Sequence, residues 1–191
     1  MNKINKLAAF MTVSITMICG VLIFLYLYPQ DVHFHAQGIK YRLGSEDPRE
    51  EGLVEVLFEG KLYKSIGGER RFEGHMDISG EDIPVPTGQR KLSIIITRDG
   101  WGAVNYPFVK YKHNGAVESS EIYPYGSLAI NKDFSAVTLF VTDQDLLKDK
   151  SGTGWNSENA LMITAPASSR IEGNRVTNQI ANEFLRGMKL E

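Results

Sequence analysis

The feature that most constrains this chain is an uninterrupted apolar run near its start. Leu7 to Tyr28 carries no charged side chain, and Lys3 and Lys6 precede it. About 20 apolar residues in a helix cross a bilayer core, which is about 30 Å thick. Because lipid offers the backbone no hydrogen-bond partner, a single span has to be helical. The sequence therefore predicts a transmembrane helix over residues 7–28, in direct contact with the lipid bilayer.

The charges that flank this helix set its expected orientation. Both lysines lie on the N-terminal side, and the next basic residue is Lys40. Residues 1–30 would then hold the cytoplasmic N-terminus and the transmembrane anchor of a single-pass protein in the cell membrane. By the positive-inside rule, the domain that follows lies outside the cytoplasm. A cleaved signal peptide is the alternative. It is disfavoured because the best cleavage position, after Ala36, has Phe34 where a small residue is required.

The rest of the chain has the size and charge of one mildly acidic domain. All 23 acidic residues follow residue 30, whereas two of the 21 basic residues precede it. This balance argues against nucleic acid as a partner and against a polybasic attachment to anionic lipid. The one cysteine, Cys19, lies in the apolar run. The domain therefore forms no disulfide, which fits the envelope of a bacterium better than a eukaryotic secretory route.

Short alternating segments separated by turn signals indicate a β-rich domain. We expect residues 31–38 to be a juxtamembrane linker and residues 39–191 to form an extracytoplasmic domain. Its segments predict an antiparallel sandwich or barrel of about 8–10 short strands. Gly60 marks either a hairpin turn or a bulge in one long strand, and Pro107 confines its strand to an edge or a bulge.

The C-terminal segment changes from strand to helix periodicity. Ser169 and Glu172 form a capping-box pattern, and apolar residues then recur every fourth position. Members of this stripe are Val176, Ile180, Phe184 and Met188, with Thr177, Ala181 and Leu185 beside them. We expect one amphipathic helix over about residues 168–188, docked on the sheet, which makes the domain β-rich α+β.

Motifs for catalysis are absent from the sequence, and no catalytic residue is assigned. There is no G-x-S-x-G, no S-x-x-K and no cysteine in the domain. A dispersed site built around His75 or His113 is the remaining enzymatic alternative. His33 and His35 are an incomplete metal site in an expected linker. No cofactor is predicted.

One acidic stretch is a weak candidate for a cation site. Asp143, Asp145 and Asp149 lie close together in sequence, and hard cations accept irregular sets of oxygen ligands. Read as a calcium loop from Asp149, however, the stretch places Ala160 where the bidentate carboxylate belongs. A solvated loop rich in turn-forming residues is the simpler interpretation.

Aromatic residues give the best candidates for ligand binding. Trp101, Tyr111, Tyr123 and Tyr125 flank turns and prolines, and Tyr and Trp are enriched at binding surfaces. We expect these four to form one exposed patch.

These observations predict a membrane-anchored extracytoplasmic binding or interaction module of the bacterial cell envelope, and favour a non-enzymatic role. Its partner would be another envelope protein or a cell-wall polymer. The alternatives are an envelope hydrolase with a dispersed site, and a structural or signalling subunit that acts through its membrane helix.

Overall fold

The N-terminal helix is long and apolar enough to cross a membrane. A computed structural model describes residues 3–45, 51–142 and 159–190. Helix α1 spans Lys3–Leu27. Its stretch Phe10–Leu27 has a mean hydropathy of 2.3, and none of that stretch is buried against the rest of the chain. Length and composition of this kind suit a membrane anchor and a signal sequence alike.

The described residues after α1 form a closed barrel of eight antiparallel strands in sequential order. The barrel confirms one of the two predicted architectures. It closes where β1 pairs with β8, with Ile39 opposite Thr164. The strands are β1 (Gln30–Arg42), β2 (Gly52–Lys64), β3 (Arg70–Ile78), β4 (Leu92–Ile96), β5 (Trp101–Tyr111), β6 (Val117–Ile130), β7 (Val137–Val141) and β8 (Leu161–Ala165).

The expected linker over residues 31–38 is wrong, because these residues belong to β1. Val32 and Phe34 are buried in the barrel interior, whereas His33 and His35 are exposed. This alternation is the period of a strand with one buried face. Only Tyr28 and Pro29 separate α1 from the barrel, so the helix enters the domain directly at one end of the barrel.

Side chains fill the end of the barrel that adjoins α1. Phe134, in the turn between β6 and β7, is buried and has a positive φ of 59°. Its ring lies 5.4–6.2 Å from the rings of Phe34, Phe58 and Phe72. An eight-stranded barrel has an interior just wide enough for such packing. The turn therefore closes this end with an aromatic plug.

The C-terminal helix is shorter than predicted and packs on the outside of the barrel. Helix α2 spans Arg170–Ile180, and turns continue beyond it. Ser169 caps it by accepting a hydrogen bond from the Glu172 amide, as the sequence indicates. The docked face consists of small and polar residues, and a Cβ on Gly173 would lie 2.9 Å from Ile39. The predicted stripe is confirmed in part. Thr177, Ala181 and Leu185 are buried, together with Gly173 and Asn174, whereas Phe184 and Met188 are exposed.

Candidate functional site

A two-stranded ribbon projects from the end of the barrel opposite α1. Among the residues that the structure describes, β6 pairs with β7 only from Gly126 onward, and the first residue of β4 lies level with Tyr106 on β5. Residues 107–111 and 117–122 therefore extend past both neighbouring strands while pairing with each other. The Asn114-Gly115 turn predicted from sequence joins them, with Gly115 at a φ of 80°.

The outer face of this ribbon carries exposed apolar side chains. Ile122 lies opposite Pro107, and Val117 lies opposite Tyr111. Directly paired residues share a face of a sheet, and Val109 lies between these two pairs on β5. The side chains of Ile122, Val117 and Tyr111 are 67%, 62% and 59% exposed. We call Pro107, Val109, Tyr111, Val117 and Ile122 the ribbon strip.

Polar contacts hold the ribbon in place. The Gln89 side chain donates to the Val109 carbonyl at 3.1 Å and accepts from the Val109 amide at 2.7 Å, which replaces a strand partner. On the inner face, Lys110 and Glu121 form an ion pair at 2.8 Å. The hydrogen bond from Lys110 lowers the pKa of the Glu121 carboxyl. The strip is therefore a fixed surface rather than an open loop.

The four aromatic candidates do not form one exposed patch. Tyr111 is exposed on the ribbon strip, Tyr123 is half-buried, and Tyr125 is buried in the interior. Trp101 lies at the other end of β5, about 33 Å from Tyr111 along the strand. Its indole stacks on Phe184 with ring centroids 3.7 Å apart. Of the four candidates, Tyr111 is therefore the one whose side chain is exposed to a partner.

A loop of residues 79–91 covers the barrel end beneath the ribbon. Ile83 and Val85 are buried in the main core, and the Arg90 guanidinium donates to both of their carbonyls at 2.8 Å. Inside this end, the hydroxyls of Tyr106 and Tyr125 are buried without a hydrogen-bond partner. Burial raises the pKa of both hydroxyls, so they stay protonated at neutral pH.

The histidines do not assemble a catalytic or metal site. His75 and His113 are exposed, and neither makes a hydrogen bond or an ion pair within the described part of the chain. His33 is exposed on the outer face of β1, and His35 lies 3.1 Å from the Glu55 carboxylate. The described residues contain no group of three His, Cys, Asp or Glu side chains that could hold a metal ion.

The acidic cation candidates Asp143, Asp145 and Asp149 lie outside the described residues. The aliphatic members of the ribbon strip were not predicted from the sequence, because aliphatic residues that alternate along a strand are typical of a core face. The available signal was Pro107 together with the Asn114-Gly115 turn, which indicates a hairpin whose first strand lacks a neighbour.

No known protein family, curated protein or solved structure matches this chain.

Proposed function

We propose that this chain is a membrane-anchored interaction module of the bacterial cell envelope. Residues 7–28 anchor it in the cytoplasmic membrane, its N-terminus is cytoplasmic, and its barrel lies outside. The ribbon strip binds an apolar surface of another envelope protein. One observation carries this proposal: the strip is a fixed, exposed apolar surface at the end of the barrel that faces away from α1.

The chemistry of the strip favours a protein partner over a cell-wall polymer. Four of its five members are proline or aliphatic residues, and Tyr111 is its one aromatic ring. Contiguous apolar surface of this kind marks protein interaction sites, since leaving it in water has a free-energy cost that contact removes. A polysaccharide would instead require several polar groups alongside stacked rings. The strip has one ring, Tyr111, and on its face Ser120 is the polar residue between the two apolar pairs, opposite Val109.

Neither alternative function has a specific observation in its favour. A hydrolase with a dispersed site requires a histidine within hydrogen-bond reach of a carboxylate and a hydroxyl. His75 and His113 lack both partners within the described residues. A subunit acting through its membrane helix requires a helix face built for pairing, and Gly20 has open space around its α-carbon with no small residue four positions away.

Site-specific photo-crosslinking in living cells tests the partner surface. A photoreactive phenylalanine analogue replaces Ile122 in the full chain, and the matched control places it at Ile95 on the outer face of β4. These two residues are 67% and 66% exposed. We expect a discrete adduct from position 122 and none from position 95. The adduct should disappear when Val117→Asp is added, because this change places a charge on the same strip, about 16 Å along β6 from Ile122.

Two results would contradict the proposal. Equal adducts from both positions would show that exposure alone captures neighbours, and an adduct that survives Val117→Asp would place the contact elsewhere.

The anchor is tested separately by alkaline carbonate extraction of membranes. An anchored chain stays in the pellet, and an external protease removes its barrel from intact spheroplasts but leaves the N-terminus protected.

A further inference from the structure

A cluster of positive charges lies at the end of the barrel that adjoins α1. It joins residues from three turns that are distant in sequence: the one after β2, the one after β4 and the one after β6. Together with the last turn of α1, these residues line a surface cavity of about 320 Å³. The lining residues are Tyr26, Lys64, Gly68, Arg70, Arg98 and Lys132. We call Lys64, Arg70, Arg98 and Lys132 the basic cluster.

Both guanidinium groups of this basic cluster donate hydrogen bonds to backbone carbonyls rather than to carboxylates. Arg70 is 9% exposed, and its guanidinium donates to the Asn131 and Lys132 carbonyls at 3.0 and 3.1 Å. Arg98 donates to the Gly67 carbonyl at 2.7 Å. Within the described residues, none of the four cations lies in an ion pair. Other lysines do pair with carboxylates: Lys61 with Asp31 at 3.0 Å at the same end of the barrel, Lys110 with Glu121 at 2.8 Å at the ribbon end, and Lys40 with Glu81.

Several carboxylates lie near the basic cluster, and within the described residues none of them forms an ion pair with it. Glu183 lines an adjoining cavity together with Arg70 and Lys132. Asp99 accepts a hydrogen bond from the Thr97 hydroxyl, and Asp133 accepts one from the Ser135 hydroxyl at 2.9 Å. Glu69 is exposed and precedes Arg70. Buried or clustered cations without counterions attract an anion, and guanidinium groups match the geometry of phosphate oxygens.

The position of the basic cluster identifies the source of that anion. Lys64 lies over the ring of Tyr26, with its ammonium 5.9 Å from the ring centroid. Tyr26 belongs to the last turn of the apolar helix, where aromatic rings of a membrane span sit at the level of the lipid headgroups. The cluster is therefore held at the depth at which phosphate groups of a bilayer lie.

We propose that the basic cluster binds the phosphate groups of anionic lipids in the leaflet from which α1 emerges. This inference rests on the proposed membrane anchor. The overall acidity of the domain predicts the opposite, but the fold gathers these four cations around one cavity, and none of them forms an ion pair within the described residues. Lipid binding there holds the barrel upright, so that the ribbon strip points away from the membrane.

The test uses the full chain in nanodiscs that contain phosphatidylcholine and phosphatidylglycerol. Native mass spectrometry measures the ratio of the two lipids that stay bound after release from the disc. We expect the wild-type chain to retain phosphatidylglycerol in excess of its share of the bilayer. Arg98→Gln with Lys132→Gln should lower that ratio by about fivefold for each cation removed.

A matched pair removes the same charge from the far end of the barrel. Lys91→Gln with Lys112→Gln should leave the ratio unchanged, since both lysines are exposed at the ribbon end. Lys132→Gln alone provides a variant that breaks no side-chain hydrogen bond within the described residues, in case the double variant folds poorly. Binding of a soluble anion is tested by adding inorganic phosphate to the chain in discs of pure phosphatidylcholine and measuring its unfolding temperature.

The outcomes separate this inference from the proposed function. Equal lipid ratios for the wild-type chain and the Arg98/Lys132 variant, in discs that retain the protein, overturn the inference and leave the anchor intact. Equal losses in both double variants overturn it as well, because they would indicate net charge alone. A phosphate-induced rise in unfolding temperature without any lipid preference would assign the cluster to a soluble ligand. Extraction of the chain by alkaline carbonate would overturn both the anchor and the inference.

Discussion

Gly60 of β2 lies directly opposite Gly74 of β3, and the two backbones approach too closely for any side chain. A Cβ on Gly60 would lie 2.7 Å from the Gly74 α-carbon and 2.2 Å from the Glu73 carbonyl oxygen. The residues beside this pair that point inward, Phe58 and Phe72, are fully buried. The glycine pair lets the sheet bend sharply at this point, as barrels commonly do at glycine.

Alanine at position 60 should therefore destabilise the barrel. Gly60→Ala forces the backbone of β3 to move, at a cost of about 1–3 kcal/mol in the free energy of unfolding. Urea denaturation of the full chain in mild detergent measures this loss. Gly52→Ala is the control, because a Cβ at this position in the same strand would meet nothing within 4 Å. Equal stability of the two variants would show that the strands separate without cost.

The residues of this region also show what the sequence establishes and what it leaves open. Alternation correctly indicated β2, but Gly60 suggested a turn or a bulge. The structure has one continuous strand with no register shift at that position. A glycine that permits a close approach of two strands looks the same in sequence as a glycine that makes a turn, because the requirement comes from the facing strand.

The same limit applies to the linker and to the candidate site. In the stretch over residues 31–38, Val32, Phe34 and Gly38 are buried and Ala36 is partly buried. Only Val32 and Phe34 are large apolar residues, so the alternation is weak in the sequence. Likewise Tyr111 and Tyr125 are equivalent by local sequence, yet the first is exposed and the second buried. The strand order and the length of each neighbour decide the difference, and neither can be read from local periodicity.

Three buried threonine hydroxyls join α2 to the barrel, and we expect them to act as a unit. Thr177 lies 2.9 Å from Thr138 of β7 and 3.1 Å from Thr164 of β8, and those two are 3.1 Å apart, measured between Oγ1 atoms. Replacing one by valine removes two of the three contacts and leaves each remaining hydroxyl with a single one, at a cost of about 1–3 kcal/mol. Replacing all three removes the polar atoms together and should cost less than the sum of the single losses.

Urea denaturation of the three single variants and the triple variant measures this non-additivity. Additive losses would show that each hydroxyl contributes independently. A triple variant that loses α2 altogether, seen as a fall in helical circular dichroism, would show that the hydroxyls are required to specify docking.

Removing the buried tyrosine hydroxyls inside the barrel should not destabilise the protein. Tyr106→Phe or Tyr125→Phe should leave the free energy of unfolding at pH 7 unchanged or raise it by up to about 1–3 kcal/mol, because each removes a buried group without a partner. Tyr111→Phe, at the exposed ribbon strip, is the control and should change nothing. A loss of stability in the buried variants would reveal an ordered water or ligand bound to these hydroxyls.

The pH dependence of stability follows from the raised pKa values of the same two groups. Burial raises both above the ordinary value of 10.0, so above pH 10 the unfolded chain loses protons that the folded chain keeps. The folded state then binds more protons, and stability falls as pH rises. Below pH 10 this contribution is fully present. Thermal unfolding at pH values from about 9 to about 11.5 measures this loss of stability. The Tyr106→Phe/Tyr125→Phe double variant should lose less free energy of unfolding than the wild-type chain, with a difference of at least ~1 kcal/mol at the highest pH.

Stacking of Trp101 on Phe184 gives a direct probe of the segment that follows α2. The two rings are 3.7 Å apart and nearly parallel, with an angle of 11° between their planes. In a Trp155→Phe background, Trp101 is the only tryptophan, since the chain has two. Phe184→Ala should then shift its emission to longer wavelength and lower the free energy of unfolding by roughly 1 kcal/mol. Met188→Ala, in the same segment, removes a side chain that is 48% exposed and should leave the emission unchanged. An unshifted emission spectrum in Phe184→Ala would mean that groups other than Phe184 shield the Trp101 indole from water.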